Sequence, residues 1–241
     1  MLASELFKII EDKVPLSLAL TDDKVGFIGP GHPDEIEVEN VAVILDIHPE
    51  TDPNSEEADL LVCHHPSLFP PTTPTYIIHS NWDIVQGGAN DALADSLKLD
   101  VIDVLEEETG IGRICKEEFT LDGFVGRVFD SLDVDHIRIV QGKESKIEKI
   151  ALISGFGLNP HYIKLASKKG VDLLLSGDLT HPGAVLAQRF GINLVDATHH
   201  ATEIPGLVKL CQMLNELGLN ADVNYTNKPW DTYQSPNMST S

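Results

Sequence analysis

From residue 41 to residue 200, short apolar runs keep alternating with longer stretches of helical periodicity, and most of these runs finish in histidine or carboxylate. Such alternation predicts an α/β fold with largely parallel strands, because parallel neighbours need a crossover, usually a helix. In the first half the strands are VAVILDI (41–47), ADLLVCHH (58–65), TYIIHSNWD (75–83) and DVIDVL (100–105), with a helix over 89–99. The middle section is read as strands FVGRVFD (124–130) and DHIRIVQ (135–141). IALISGF (150–156), VDLLLSGD (171–178) and INLVDATHH (192–200) then follow, with helices near 159–169 and 181–190, a last helix over about 202–218 and a strand at 221–226.

The halves resemble each other. ADLLVCHHP parallels VDLLLSGDLTHP, and TYIIHSNWD parallels INLVDATHH, each ending in histidine near a carboxylate. A duplication at about 110-residue spacing implies two similar α/β lobes with mixed, largely parallel sheets, here bounded at 1–115 and 116–241. The opening MLASELFKIIEDK reads as an amphipathic helix with Leu2, Leu6, Ile9 and Ile10 on one face. In the polar tail, Trp230 and Tyr233 are expected to pin its start to the body.

Seventeen basic against 38 acidic residues leave a net charge of −21, which opposes nucleic-acid binding over most of the surface. Cys63, Cys115 and Cys211 are odd in number and too widely spaced for a CxxC motif, so neither a thiolate zinc site nor a disulfide framework is expected. No stretch reads as a membrane span, and the N-terminus lacks the apolar core of a signal peptide. A reducing cytoplasm is the expected compartment.

Seven histidines, at 48, 64, 65, 79, 181, 199 and 200, fall at or just past a strand's carboxyl end. In open α/β sheets that edge is where side chains converge on ligands. Adjacent histidines on a regular strand face opposite ways, so His64 and His65 share a site only where the strand is ending or two metals are present. Pro66 ends it. HSNWD adds His79 and Asp83, the latter readable either as a helix cap or as a ligand. In HHATE, His199 and Glu203 lie four apart at a helix start and can approach one centre, although Glu203 also reads as a capping-box acid.

Imidazole with carboxylate suits Zn, Mn, Fe or Ni, and five such groups exceed the three that one catalytic metal usually takes. Two divalent ions follow, with Asp83 or Glu203 as the bridging group; such a pair activates water and polarises a substrate oxygen or ring nitrogen. SGFG (154–157) lacks the rest of a phosphate-binding loop and reads as a tight turn. In SGDLTH, Asp178 and His181 are candidates for substrate contact or acid–base work, with Asp178 equally readable as an N-cap.

VCHHPSLF, HSNWD, GRI, SGDLTHPGAVLAQRFGINLVDATHHATE and ISGFG together resemble the Nif-three-like family, the type-two GTP cyclohydrolase I homologues, over about residues 41–226. The likeness is most specific in DATHHATE. It implies a dinuclear centre on His64, His65, Asp83, His199 and Glu203, two α/β lobes, and a homohexamer built as a trimer of dimers with the metals facing inward. Three departures stand out. Only 17 residues separate His65 from Asp83, TDDKVGFIG stands where the family carries Trp-Asp-Asn, and His200 replaces a common Tyr. The resulting expectation is a metal-dependent hydrolase of a nucleotide-like or heterocyclic small molecule, with Asp178, His181 or His200 relaying protons. The alternative is a non-catalytic metal-binding or DNA/protein-binding regulatory module, whose DNA form the net charge opposes.

Overall fold

Hydrogen bonding sorts the strands into two sheets in this computed structural model, which describes residues 1–48, 58–143, 146–224 and 230. The first sheet takes β1 (Gly26–Ile28), β2 (Asn40–Ile44), β3 (Leu60–Cys63), β4 (Thr75–Ile77) and β11 (Asn220–Val223), in the order β1-β4-β3-β2-β11. The second takes β5 (Val101–Val104), β6 (Arg113–Thr120), β7 (Arg138–Val140), β8 (Lys146–Phe156), β9 (Leu173–Gly177) and β10 (Asn193–Asp196), in the order β5-β6-β8-β9-β10-β7. Each sheet contains a parallel trio, β2-β3-β4 in one and β8-β9-β10 in the other. Each trio is flanked on its third strand by an antiparallel neighbour, β1 on β4 and β7 on β10. The repeat read in the sequence therefore matches β3 with β9 and β4 with β10.

Parallel strands are covered on both faces, and the apolar alternation follows. Val41, Val43, Leu60, Val62 and Tyr76 pack with α1 (Ala3–Lys13) and α7 (His199–Glu216). Ala42, Ile44, Leu61, Cys63 and Ile77 form a smaller cluster on the opposite face. In the second sheet, Leu152, Leu173, Leu175 and Val195 pack with α3 (Ala89–Ser96) and α4 (Leu121–Ser131). Ala151, Ile153, Leu174 and Leu194 pack with α5 (Pro160–Lys168) and α6 (His181–Phe190).

Four expectations change. FVGRVFD is part of α4, because Thr120 caps it by accepting from the Gly123 N–H at 3.1 Å and because Phe124 and Val128, four apart, share its buried face. The boundary at 115/116 falls inside β6: β5 and β6 already belong to the second sheet, while α7 and β11 return to the first. On α1 the buried stripe is Ala3, Leu6, Phe7 and Ile10, with Leu2 as N-cap. Trp230 is 59% exposed, so most of its surface faces solvent, and Tyr233 lies outside the described residues. Cys63, Cys115 and Cys211 are free thiols, all buried.

Candidate metal centre

At the first sheet's carboxyl edge the backbone keeps the register of β2 and β3 for two more residues, with His64 N–H donating to Ile44 O and His65 N–H to Leu45 O, both at 2.9 Å. That continuation aims two successive side chains from a strand that is just ending. His64 Nδ1 donates to the carbonyl of Ile78 at 2.8 Å, and His65 Nδ1 to Asp46 Oδ1 at 2.8 Å. Both acceptors stand just past the ends of neighbouring strands. The edge thus fixes its own imidazoles, leaving both Nε2 atoms turned away from the sheet. His79 follows β4 and caps α2 (Ser80–Ile84), which carries Asp83. Asn90 Nδ2 donates to the Asp83 carbonyl at 2.8 Å, while Asn90 Oδ1 accepts from Ser154 N–H at 2.9 Å, so one buried amide ties α2 to β8.

The second edge delivers its ligands on a helix. His199 and Glu203 occupy the first turns of α7, with His199 Nε2 3.1 Å from Glu203 Oε1. Bringing a helix this close to strands requires small neighbours. A Cβ on Gly155 would stand 2.2 Å from Glu203 Oε1, and one on Gly177 would stand 2.4 Å from the His199 nitrogen. The SGFG turn is therefore a recess for a carboxylate, with Gly155 at φ +75°. Thr198, the N-cap of α7, sits at φ 68° and ψ 151°, a region that strains any β-branched residue. Its hydroxyl accepts from the Ala201 N–H at 3.2 Å.

The edges meet at side chains 134 residues apart: His199 Nε2 lies 3.2 Å from His65 Nε2. Outer nitrogens bonded to acceptor-only carboxylates must carry the proton, and Asp178 Oδ2 holds His199 Nδ1 at 2.6 Å just as Asp46 holds His65. The two inner nitrogens can then share one proton between the rings or face each other across a cation. The cation is compatible with the distance, since tetrahedral Zn–N bonds of ~2.0–2.1 Å place neighbouring nitrogens at about this spacing. Glu203 Oε2 is 3.2 Å from His65 Nε2, and Glu203 Oε1 is 3.6 Å from His64 Nε2, which in turn is 3.7 Å from Asp83 Oδ1.

Burial opposes the charge on Glu203, yet hydrogen bonds from His199, His64 and His65 hold it well below the usual carboxylate range. Burial lifts Asp83 to about 6 against the pull of His64. Burial disfavours charged His65 and His199, but hydrogen bonding to Asp46 and Glu203, and to Asp178 and Glu203, raises both to about 10. His64 Nε2, Asp83 Oδ1 and Glu203 Oε2 are buried without a hydrogen bond of good geometry. Orphaned donors and acceptors are costly, and a metal ion is the partner that suits three at once. The residues present fit a divalent cation. Among the described residues, His65, His199 and Glu203 form one metal-capable group and His64, His65 and His79 another.

All five expected ligands converge. Asp83 lies inside α2 and is not its cap. Asp178, at φ 57°, is not an N-cap either: Thr180 caps α6, and Asp178 holds the outer nitrogen of His199. His181 begins α6, exposed, and makes no hydrogen bond or ion pair with the five; His200 follows His199 on α7, half-buried. Sequence reasoning left out Asp46 and Asp23. Asp46 had a signal, since it is the carboxylate that ends VAVILD; Asp23, whose two oxygens hold His79 Nδ1 at 2.9 Å, had none.

Residues 1–77 and 73–232 match the family model described as Duf34/NIF3 (NGG1p interacting factor 3). The GTP cyclohydrolase 1 type 2 homolog of Methanothermobacter thermautotrophicus is 40% identical over 231 residues, covering 95% of each chain. Reduced HcgD from Methanocaldococcus jannaschii superposes with TM-score 0.78 at 30% identity, covering 92% of this chain and 96% of that one. A Bacillus cereus protein related to NIF3 shares the fold at TM-score 0.83 and 21% identity, over 97% of this chain and 99% of its own. No helix among the described residues is long and apolar enough to cross a membrane. With its two mixed sheets and facing strand edges, the chain belongs to the Duf34/NIF3 family.

Proposed function

We propose that the chain holds two divalent cations and hydrolyses a nucleotide-like or heterocyclic small molecule. One observation carries this reading: five side chains from both sheets converge, and three of their buried polar atoms lack any other partner. His64 and Asp83 would hold one ion, His65 and His199 the other, and Glu203, whose oxygens face both groups, would span them. Bound there, the ions supply Lewis-acid polarisation of the substrate and an activated water.

The protein's own share is orientation. Asp46 and Asp178 fix the tautomers of His65 and His199, and the Ile78 carbonyl fixes that of His64. Asp178 is 46% exposed, so it can also meet solvent or substrate while holding the ring. The substrate class is supported by the name that the relatives carry, GTP cyclohydrolase 1 type 2 homolog. Zn, Fe, Mn and Ni all suit this mixed nitrogen and oxygen donor set.

Elemental analysis of purified protein, followed by an assay of metal-loaded protein against GTP and related heterocycles, tests the reading. We expect two metal equivalents and turnover in the wild-type protein, and loss of both metal and turnover in His64→Ala. Equal turnover in the two proteins would refute it.

A further inference from the structure

Four imidazoles, not three, are anchored at this centre. His79 Nδ1 is held by both oxygens of Asp23 at 2.9 Å, just as the outer nitrogens of His64, His65 and His199 are held. The anchor is itself built in. Asp23 is 8% exposed, accepts from the Ser80 N–H at 3.1 Å and from the Ser80 hydroxyl, and that hydroxyl accepts from Leu20 N–H at 2.9 Å. Because an ionised carboxylate only accepts, His79 carries its proton on Nδ1 and presents the Nε2 lone pair on its far side.

What faces these rings differs. Nε2 of His64, His65 and His199 lies 3.6, 3.2 and 3.1 Å from an oxygen of Glu203. His79 instead meets the rings of His64 and His65 edge-on, at centroid separations of 5.2 and 5.6 Å, and its one carboxylate partner among the described residues is Asp23. The nitrogens of His64, His65 and His79 lie within 4.8 Å of one another, but of these rings His79 alone has no ion pair with Glu203 or Asp83 among the described residues. It is 31% exposed, against 2% for His64.

Chain neighbours of the anchored groups line a groove. Lys24 follows Asp23, Pro66 follows His65 and Ile77 precedes His79 by two; with Ile28 and Phe69 these residues line a groove of about 700 Å³. Its walls are mainly apolar, with one exposed ammonium. That surface suits a planar ring bearing an anionic group.

We infer that His79, aimed by Asp23, is a substrate contact and not a metal ligand: it accepts a hydrogen bond from an N–H or O–H beside the reacting carbon, while the groove receives the rest of the molecule. The inference rests on the hydrolytic reading above and deepens it. Asp23 is a positioning residue, acting only through the ring.

The test loads wild-type protein, His79→Ala and Asp23→Asn with Co²⁺ and reads three quantities: metal equivalents, the visible cobalt spectrum, and affinity for inorganic phosphate. Phosphate is a tetrahedral oxyanion that retains an O–H donor at neutral pH. Both variants should keep two equivalents and the wild-type spectrum. Phosphate affinity should fall about tenfold in His79→Ala, the worth of one lost hydrogen bond, and less in the isosteric Asp23→Asn. A missing metal equivalent or a shifted spectrum in His79→Ala would make His79 a ligand and overturn the inference. Unchanged phosphate affinity, or a cobalt-loaded wild-type protein that ignores phosphate, would overturn it as well. Failure of the wild-type protein to hold metal would sink the broader functional reading, a result separable from these.

Discussion

At the first sheet's edge, imidazoles leave the chain directly from strand ends, whereas the second sheet's edge presents its imidazole and carboxylate on the opening turns of α7. The first arrangement needs no left-handed backbone: His64, His65, His79 and Asp83 all lie outside the positive-φ set. The second requires three. Thr198 and Asp178 take positive φ, and Gly155 makes room for Glu203. Strands place side chains 3.2–3.4 Å apart along a pleat, so neighbouring ends converge almost for nothing. A helix carries its backbone as a cylinder, and bringing its first turn against strands costs close approach and strain. In return it supplies what strands lack, a histidine and a glutamate four apart on one face.

Arg113 locks these two unlike edges together, and its loss is the largest effect expected. On β6 and 4% exposed, it pairs with Asp91 of α3 through two bonds of 2.8 Å and donates to the carbonyls of Gly110, Gly112, Ile84 and Val85. Ile84 and Val85 end the segment carrying Asp83. Arg113→Met should destabilise the protein by about 3–5 kcal/mol, the cost of stranding a buried partner, as measured by urea unfolding. Adding Asp91→Leu should not restore stability, since the four carbonyls still lose the guanidinium's donors. Full recovery in the double variant would mean that the ion pair alone, and no gripping of α2, ties the edges.

The same contrast explains what was legible in the sequence. Strand-end ligands announce themselves, because apolar runs such as ADLLVC and INLV stop abruptly at His64 and near His199; HHATE shows its helical spacing openly. The parallel trios follow from the same runs. FVGRVFD misled because its apolar residues at 124, 125, 128 and 129 fit helical spacing, while bulky β-branched neighbours imitate a strand. β6 was missed since half of ICKEEFT is polar and only its first three residues are buried. Asp23 could not be found, because its role depends on a loop folding back 56 residues from His79, and nothing in TDDK marks one aspartate over the other.

Next in size are the outer carboxylates, one from each edge. Asp46→Asn and Asp178→Asn should each weaken metal binding by roughly 10–100-fold, the usual effect of removing an orienting partner, as read by competition with a chromophoric chelator. Asp178→Asn should fall at the lower end. Its side chain is 46% exposed against 38% for Asp46, and asparagine tolerates the left-handed backbone found there. A loss confined to one edge would show that the cations depend on that sheet alone, and the symmetry of the two anchors would be coincidental.

The smallest effect concerns strain itself. Thr198 at φ 68° and ψ 151° stores an estimated ~1–3 kcal/mol, which glycine would release. Against that gain stand the lost cap to Ala201, worth a few tenths when glycine replaces threonine, and up to ~1 kcal/mol for the greater freedom of glycine in the unfolded chain. The bonds from Thr202 to the carbonyls of Thr198 and His199, at 3.0 and 2.8 Å, survive the change. Thr198→Gly should therefore raise unfolding stability by about 1 kcal/mol, or a few degrees in Tm, while modestly loosening metal binding through a freer His199. No comparable release is available at the first edge, where His64, His65, His79 and Asp83 have no positive φ for glycine to relieve. If the variant instead unfolds more easily, the helix cap outweighs the strain, and the second edge is no more strained than the first.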